Sequence, residues 1–146
     1  MRSSLWFIFF VVFCLSSNAS GFCFKQAADR YRISPALLIA IARVESDLNP
    51  SAFNQNDNGS YDCGLMQINS CWKQRLGCKW RQISDPCYNV MIGSWILRDC
   101  MNRYGYSWDA VACYHTGKGL YDTSKKNQNR ARQYIQKIQL AMRNSP

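Results

Sequence analysis

The stretch IARVESDLNPSAFNQNDNGSYDCGLMQINS, residues 41–70, decides how this chain is read. It begins as the tail of an apolar helix, passes Asn49-Pro50, crosses a polar segment and returns to an apolar run. Within it stands Glu45, the only glutamate among 146 residues, although glutamate is normally among the commonest residues. The helix that carries it is predicted from SPALLIAIARVES, with Ser34 as N-cap and Pro35 at the first helical position. Residues 36–42 are apolar nearly all round, which places this helix at the centre of a domain. Asn49-Pro50 is expected to stop it. Glu45 therefore faces the negative end of the helix dipole, beside apolar turns that strip it of water. Both effects favour the uncharged acid and raise its pKa. A carboxylic acid still protonated near neutral pH is what general acid catalysis needs. The alternative, a surface glutamate without a role, fits this adverse position poorly.

Residues 51–62 are rich in Asn, Asp, Gly and Ser, a loop or short hairpin with tight turns. At its end lies Asp62, 17 residues after Glu45. Two carboxylates facing each other across a groove are the usual equipment for cleaving a glycosidic bond. Asp62 as a turn residue beside Gly59-Ser60 is an alternative that spacing alone leaves open.

Outward from this centre the chain reads as helices. FKQAADRYRI (24–33) is a short first helix, and residues 71–84 give a short helix and a loop. Asp85-Pro86 caps a longer helix that ends at Gly105, and Ser107 caps another over SWDAVACYH. In the last helix, from about residue 128 to 143, Ala131, Tyr134, Ile135, Ile138 and Ala141 share one face, read as core packing. The expected class is α+β, mostly helical: one domain with a small β-hairpin beside the helix of Glu45.

MRSSLWFIFFVVFCLSSNASG reads as a secretory signal, with Arg2 as its basic start, Leu5 to Leu15 as its apolar core and cleavage near Gly21. Eleven apolar residues are too few to span a bilayer, so residues 1–21 are expected to be removed and 22–146 to form the exported domain, without stable membrane insertion. Neither Cys14 nor Cys23 follows a small residue, which argues against a lipoprotein. Without residues 1–21, 17 Lys+Arg face 9 Asp+Glu, a charge of +8. That charge favours anionic partners of any kind. The seven remaining cysteines imply up to three disulfides and an odd thiol. With one histidine and no Cys-x-x-Cys pair, a metal site is not expected.

VESDLNPSAFNQNDNGSYDCGLMQINS followed by AVACYHTG resembles the catalytic segments of SLT-domain lytic transglycosylases, most closely the small exported ones that accompany type III and type IV secretion systems and pili. The resemblance runs from FCFKQAADRYRISPALLIAIARVES through DPCYNVMIGSWIL to YGYSWDAVACYHTG. It implies a lysozyme-like fold, an extended groove, peptidoglycan glycan strands as substrate, and no cofactor. Glu45 falls on the family's single catalytic acid. Ser60, Met66, Gln67 and Asn69 would bind the sugars in the groove, and Tyr114 would orient Glu45. The usual AYNAG is here CYHTG, so His115 is expected in the groove wall or as a structural residue. Cys23 and Cys87 match a cysteine pair of several relatives, which implies a disulfide between them. Cys63 is taken as the odd thiol, and Cys71, Cys78, Cys100 and Cys113 stay unassigned. The same stretch is also similar to the active site of C-type lysozymes, where Asp62 would be nucleophile or stabiliser.

The leading expectation is non-hydrolytic cleavage of the bond between N-acetylmuramic acid and N-acetylglucosamine by a monomer. Its partners would be the glycan strands and components of a secretion system or pilus. A lysozyme-type hydrolase using Glu45 and Asp62 is the enzymatic rival. A non-catalytic cationic module binding wall or nucleic acid is the rival from another class, though no nucleic-acid motif is present and no nucleic-acid partner is expected.

Overall fold

The computed structural model describes residues 22–144; the signal segment read in residues 1–21 lies outside them. Helix α1 spans Phe24–Tyr31, α2 Pro35–Ser46, α3 Lys73–Leu76, α4 Pro86–Tyr104, α5 Trp108–Thr116 and α6 Lys125–Arg143. Strands β1 (Phe53–Gln55), β2 (Tyr61–Cys63) and β3 (Ile68–Asn69) lie between α2 and α3. The α+β, mostly helical class holds, with the sheet following the helix of Glu45.

Helix α2 is central because residues 36–42 are apolar: Leu37, Leu38, Ala40, Ile41 and Ala42 are buried. It packs against α6 and α1, while α4 packs against α5 and α1. Ser34 and Pro35 start α2 where expected, but the Ser34 side chain makes no capping bond; its backbone N–H donates instead to the Tyr106 hydroxyl at 2.9 Å. Asp85 does cap α4, accepting from the Tyr88 N–H at 2.7 Å. Ser107 precedes α5 but donates to the Tyr104 carbonyl rather than capping. Helix α6 begins at Lys125, earlier than expected, because Ser124 accepts from the Asn127 N–H.

Helix α2 also stops before Asn49-Pro50. Asp47 and Leu48 adopt positive φ of 54° and 59°, and their N–H groups close onto the carbonyls of Arg43 and Ala42. Non-glycine residues take this conformation at a cost of about 1–2 kcal/mol each. The effect is to leave Glu45 in the final turn.

The expected hairpin is a three-stranded antiparallel sheet in the order β1-β2-β3. Asn54 pairs with Asp62, and Asp62 with Asn69. The GLMQI segment supplies β3 after a turn in which Gly64 and Gln67 take positive φ of 75° and 47°.

Two disulfides form, Cys23–Cys87 and Cys100–Cys113. The first is the pairing that the resemblance implies. Cys63, Cys71 and Cys78 are free, so the seven cysteines leave three thiols rather than one. Their surroundings differ: Cys63 packs against the core, Cys71 lines a groove, and Cys78 stands by Tyr88.

Candidate active site

A groove of about 1260 Å³ runs between the sheet and helices α4 and α5. Glu45 enters it from the end of α2, Asp62 from β2, and Tyr114 and His115 from α5. Glu45 is largely withdrawn from water, and its pKa is pushed up from 4.5 to about 7. Loss of hydration is the main cause, the nearby charge of Asp62 adds to it, and a hydrogen bond from Tyr134 opposes it. That bond, from the Tyr134 hydroxyl to Oε1 of Glu45, is 2.6 Å long.

Glu45 is held by its neighbours in the chain as well. Ser46 Oγ donates to the Leu65 carbonyl at 2.8 Å, tying the end of α2 to the turn before β3. Asn89 of α4 secures the same turn from below. Its Nδ2 donates to the carbonyls of Cys63 and Ile83 at 2.9 and 3.0 Å, and its Oδ1 accepts from the Met66 N–H at 2.8 Å. Asn89 is fully buried, so leaving any of these groups unpaired would be costly.

Asp62 sits in a polar network. Its Oδ1 accepts from Asn69 Nδ2 at 2.7 Å and its Oδ2 from Asn56 Nδ2 at 2.9 Å. Ser60 Oγ accepts from both of these amides at 3.1 Å and donates to Asn58 Oδ1. Asn69 Oδ1 accepts from the Cys71 N–H. Ser60 and Asn69 line the groove, with their polar atoms engaged in fixing the Asp62 carboxylate. Gln67 also lines it. Its Nε2 donates to the Ala52 and Gly64 carbonyls, which leaves its side-chain oxygen uncommitted by these bonds.

Two expected placements are corrected. Met66 is fully buried rather than in the groove: its side chain lies over Gly93, where a Cβ would fall 2.5 Å from Met66 Sδ. Tyr114 reaches the site but does not bond Glu45. Its hydroxyl donates to the Met66 carbonyl at 2.7 Å, and burial drives its pKa well up. The phenol that holds the acid is Tyr134, 89 residues from Glu45 in the chain. Its position on the inward face of the last helix was the available signal. His115 is in the groove wall and stacks on Tyr134, with centroids 4.3 Å and planes 7° apart. Burial lowers its pKa, and Arg130 and Lys137 lower it further, against a smaller opposing pull from Asp62. Among the described residues there is no group of three or more His, Cys, Asp or Glu placed to hold a metal ion.

A desolvated acid and a second carboxylate in a polar cradle, both lining one open groove, are the kind of equipment that glycan-cleaving enzymes use. The family model of the transglycosylase SLT domain matches residues 22–137. Invasion protein IagB of Salmonella typhimurium is 41% identical over 138 residues, covering 91% of this chain and 83% of IagB. Protein IpgF of Shigella flexneri is 36% identical over 136 residues, 90% of this chain and 86% of its own. An inactive mutant of the lytic transglycosylase Slt from Pseudomonas aeruginosa shares the fold, with a TM-score of 0.67 at 20% identity over 87% of this chain. This chain spans 24% of that structure's length. The chain belongs to the transglycosylase SLT-domain family and is a peptidoglycan lytic transglycosylase.

Proposed function

We propose that the enzyme cleaves the β-1,4 bond between N-acetylmuramic acid and N-acetylglucosamine and leaves a 1,6-anhydro end, with Glu45 as the one acid and base. The observation that carries this is the desolvated Glu45 carboxyl at the groove, with Oε1 held by Tyr134. That bond leaves Oε2 to carry the proton. Oε2 protonates the glycosidic oxygen, the C1–O bond breaks, and N-acetylglucosamine departs as an alcohol. Positive charge at C1 is countered by Asp62 and by the substrate's own acetamido oxygen. Glu45, now a carboxylate, takes the proton of the muramoyl C6 hydroxyl as that oxygen bonds to C1. The acid is restored and no water is consumed.

Asp62, fixed by two amide donors, also supports a second reading, in which water replaces the C6 hydroxyl and Asp62 becomes essential. Mass analysis of digested sacculi separates the two, because anhydro ends are one water lighter than reducing ends. Anhydro products are expected; reducing ends alone would overturn the transglycosylase chemistry. Glu45→Gln should abolish turnover while the fold persists, whereas a mere wall-binding module would tolerate it.

The working place is the periplasm, reached by export. Two disulfides support an oxidising compartment, as does the signal read in residues 1–21. The role is local opening of the wall for assembly of a secretion system or pilus. The resemblance, and a close relative named as an invasion protein, support it.

A further inference from the structure

The groove holds a cation that this reaction does not use. Arg75, on α3, lines the groove and an adjoining recess of about 380 Å³ shared with Cys71, Trp72 and Gln74. Its guanidinium carbon lies 4.6 Å from the centroid of the Trp95 ring and 5.5 Å from that of Trp72. The two indoles meet edge to face at 5.3 Å and pack against the core. A guanidinium over an aromatic ring is attracted through its charge and keeps its N–H donors available. Among the described residues, no hydrogen bond or ion pair takes those donors. Arg103, farther along the groove, is by contrast engaged: it pairs with Asp99 at 3.3 Å and contacts the Cys100 and Cys113 sulfurs at 3.4 and 3.1 Å.

An exposed guanidinium with open N–H donors is suited to bidentate capture of a carboxylate, and its contacts with the two indoles narrow the positions it samples before a ligand arrives. A chain of N-acetyl sugars carries no carboxylate once each lactyl group is linked to peptide; the anions of such a strand are on the peptides. We propose that Arg75, on its Trp72–Trp95 platform, is a carboxylate subsite that recognises the stem peptide and makes peptide-bearing strands the preferred substrate. This rests on the reading of glycan strands as substrate and adds a specificity to it.

The test uses the mature chain on two substrates: peptide-bearing strands and the same strands stripped of peptide by an amidase. Wild type should favour the peptide-bearing strands in kcat/KM on the order of tenfold, the worth of one charge-assisted pair. Arg75→Gln should erase most of that preference, chiefly through KM. Arg75→Lys, which keeps the charge without the fork, should restore part of it. Amidating the peptide carboxylates should erase the preference of the wild type, a readout that needs no variant to fold. An Arg75→Gln loss that is equal on both substrates, or absent on both, overturns the subsite, and so does an amidated strand that is still preferred. A wild-type chain that cuts neither strand sinks the transglycosylase reading instead. Binding of free muramyl peptide to Glu45→Gln, with and without Arg75→Gln, then still reads out the subsite.

Discussion

Glu45 shows how far a single residue can be read. Its isolation in the composition and its place at a helix end are both visible in the sequence, and the structure adds the desolvation and the Tyr134 bond that set its pKa near 7. The acid works while protonated, so kcat/KM should fall as pH rises through about 7, as a rate–pH profile on sacculi would show. Tyr134→Phe removes the one influence that favours the carboxylate. That limb should then move to higher pH, with a rate loss of about tenfold from lost orientation. A limb that moves to lower pH would sink the assignment of Tyr134. The raised pKa has a stability consequence as well. Glu45 binds its proton more tightly folded than unfolded, so its stabilisation is full below pH 4.5 and is lost as pH rises through about 7. The neutral Glu45→Gln variant should therefore be more stable than wild type at pH 8, by roughly 3 kcal/mol, with the gap closing near pH 4. Urea titrations at the two pH values measure it. Tyr134 itself was legible only as an inward position of a helix, because periodicity gives the face of a side chain and not the polar atom it meets.

Among the elements, the helices and the β1–β2 hairpin were legible in the sequence and the third strand was not. Capping pairs and apolar stripes set α2 and α4 in advance, since both signals are local. Strand β3 escaped notice because it has two residues, too few for alternation, and because it follows a turn that bends at Gln67, a non-glycine. Asn89 was invisible for a related reason: a polar residue inside a helix pattern gives no sign that it serves the carbonyl of Cys63, 26 residues earlier at the end of β2. Yet this junction positions both carboxylates relative to each other. Gly64 is its tightest point: its φ is +75°, and a Cβ there would lie 2.4 Å from Asn89 Nδ2. Gly64→Ala should cost about 2–4 kcal/mol, combining backbone strain with displacement of a buried amide, and should lower kcat at temperatures where the protein is still folded. Chemical denaturation and initial rates check the two halves. A variant with wild-type stability and rate would mean that the junction is softer than its hydrogen bonds indicate.

At the scale of the molecule, the order of helices around one central helix could be drawn from the sequence, but the bridges only in part. Cys23–Cys87 came from resemblance. For the remaining cysteines, spacing left several connectivities open, and only the packing of α4 on α5 brings Cys100 to Cys113. The two bridges divide the work by position. Cys23–Cys87 spans 64 residues and fastens α1 to α4 away from the groove. By loop-closure entropy alone it is worth about 4 kcal/mol, against about 3 for the 13-residue span of Cys100–Cys113. The shorter bridge, however, lines the groove and meets the Arg103 guanidinium, and Cys113 precedes Tyr114 and His115. Replacing Cys23 and Cys87 by Ser should therefore lower the melting temperature more than replacing Cys100 and Cys113, while leaving kcat near the wild-type value at 25 °C. The Cys100/Cys113 double variant should lose activity, by several-fold, in excess of its loss of stability, because α5 carries the groove wall. Melting curves set beside rates on sacculi decide the matter. If both pairs lowered activity only in proportion to stability, the shorter bridge would be a staple like the longer one, with no hold on the groove.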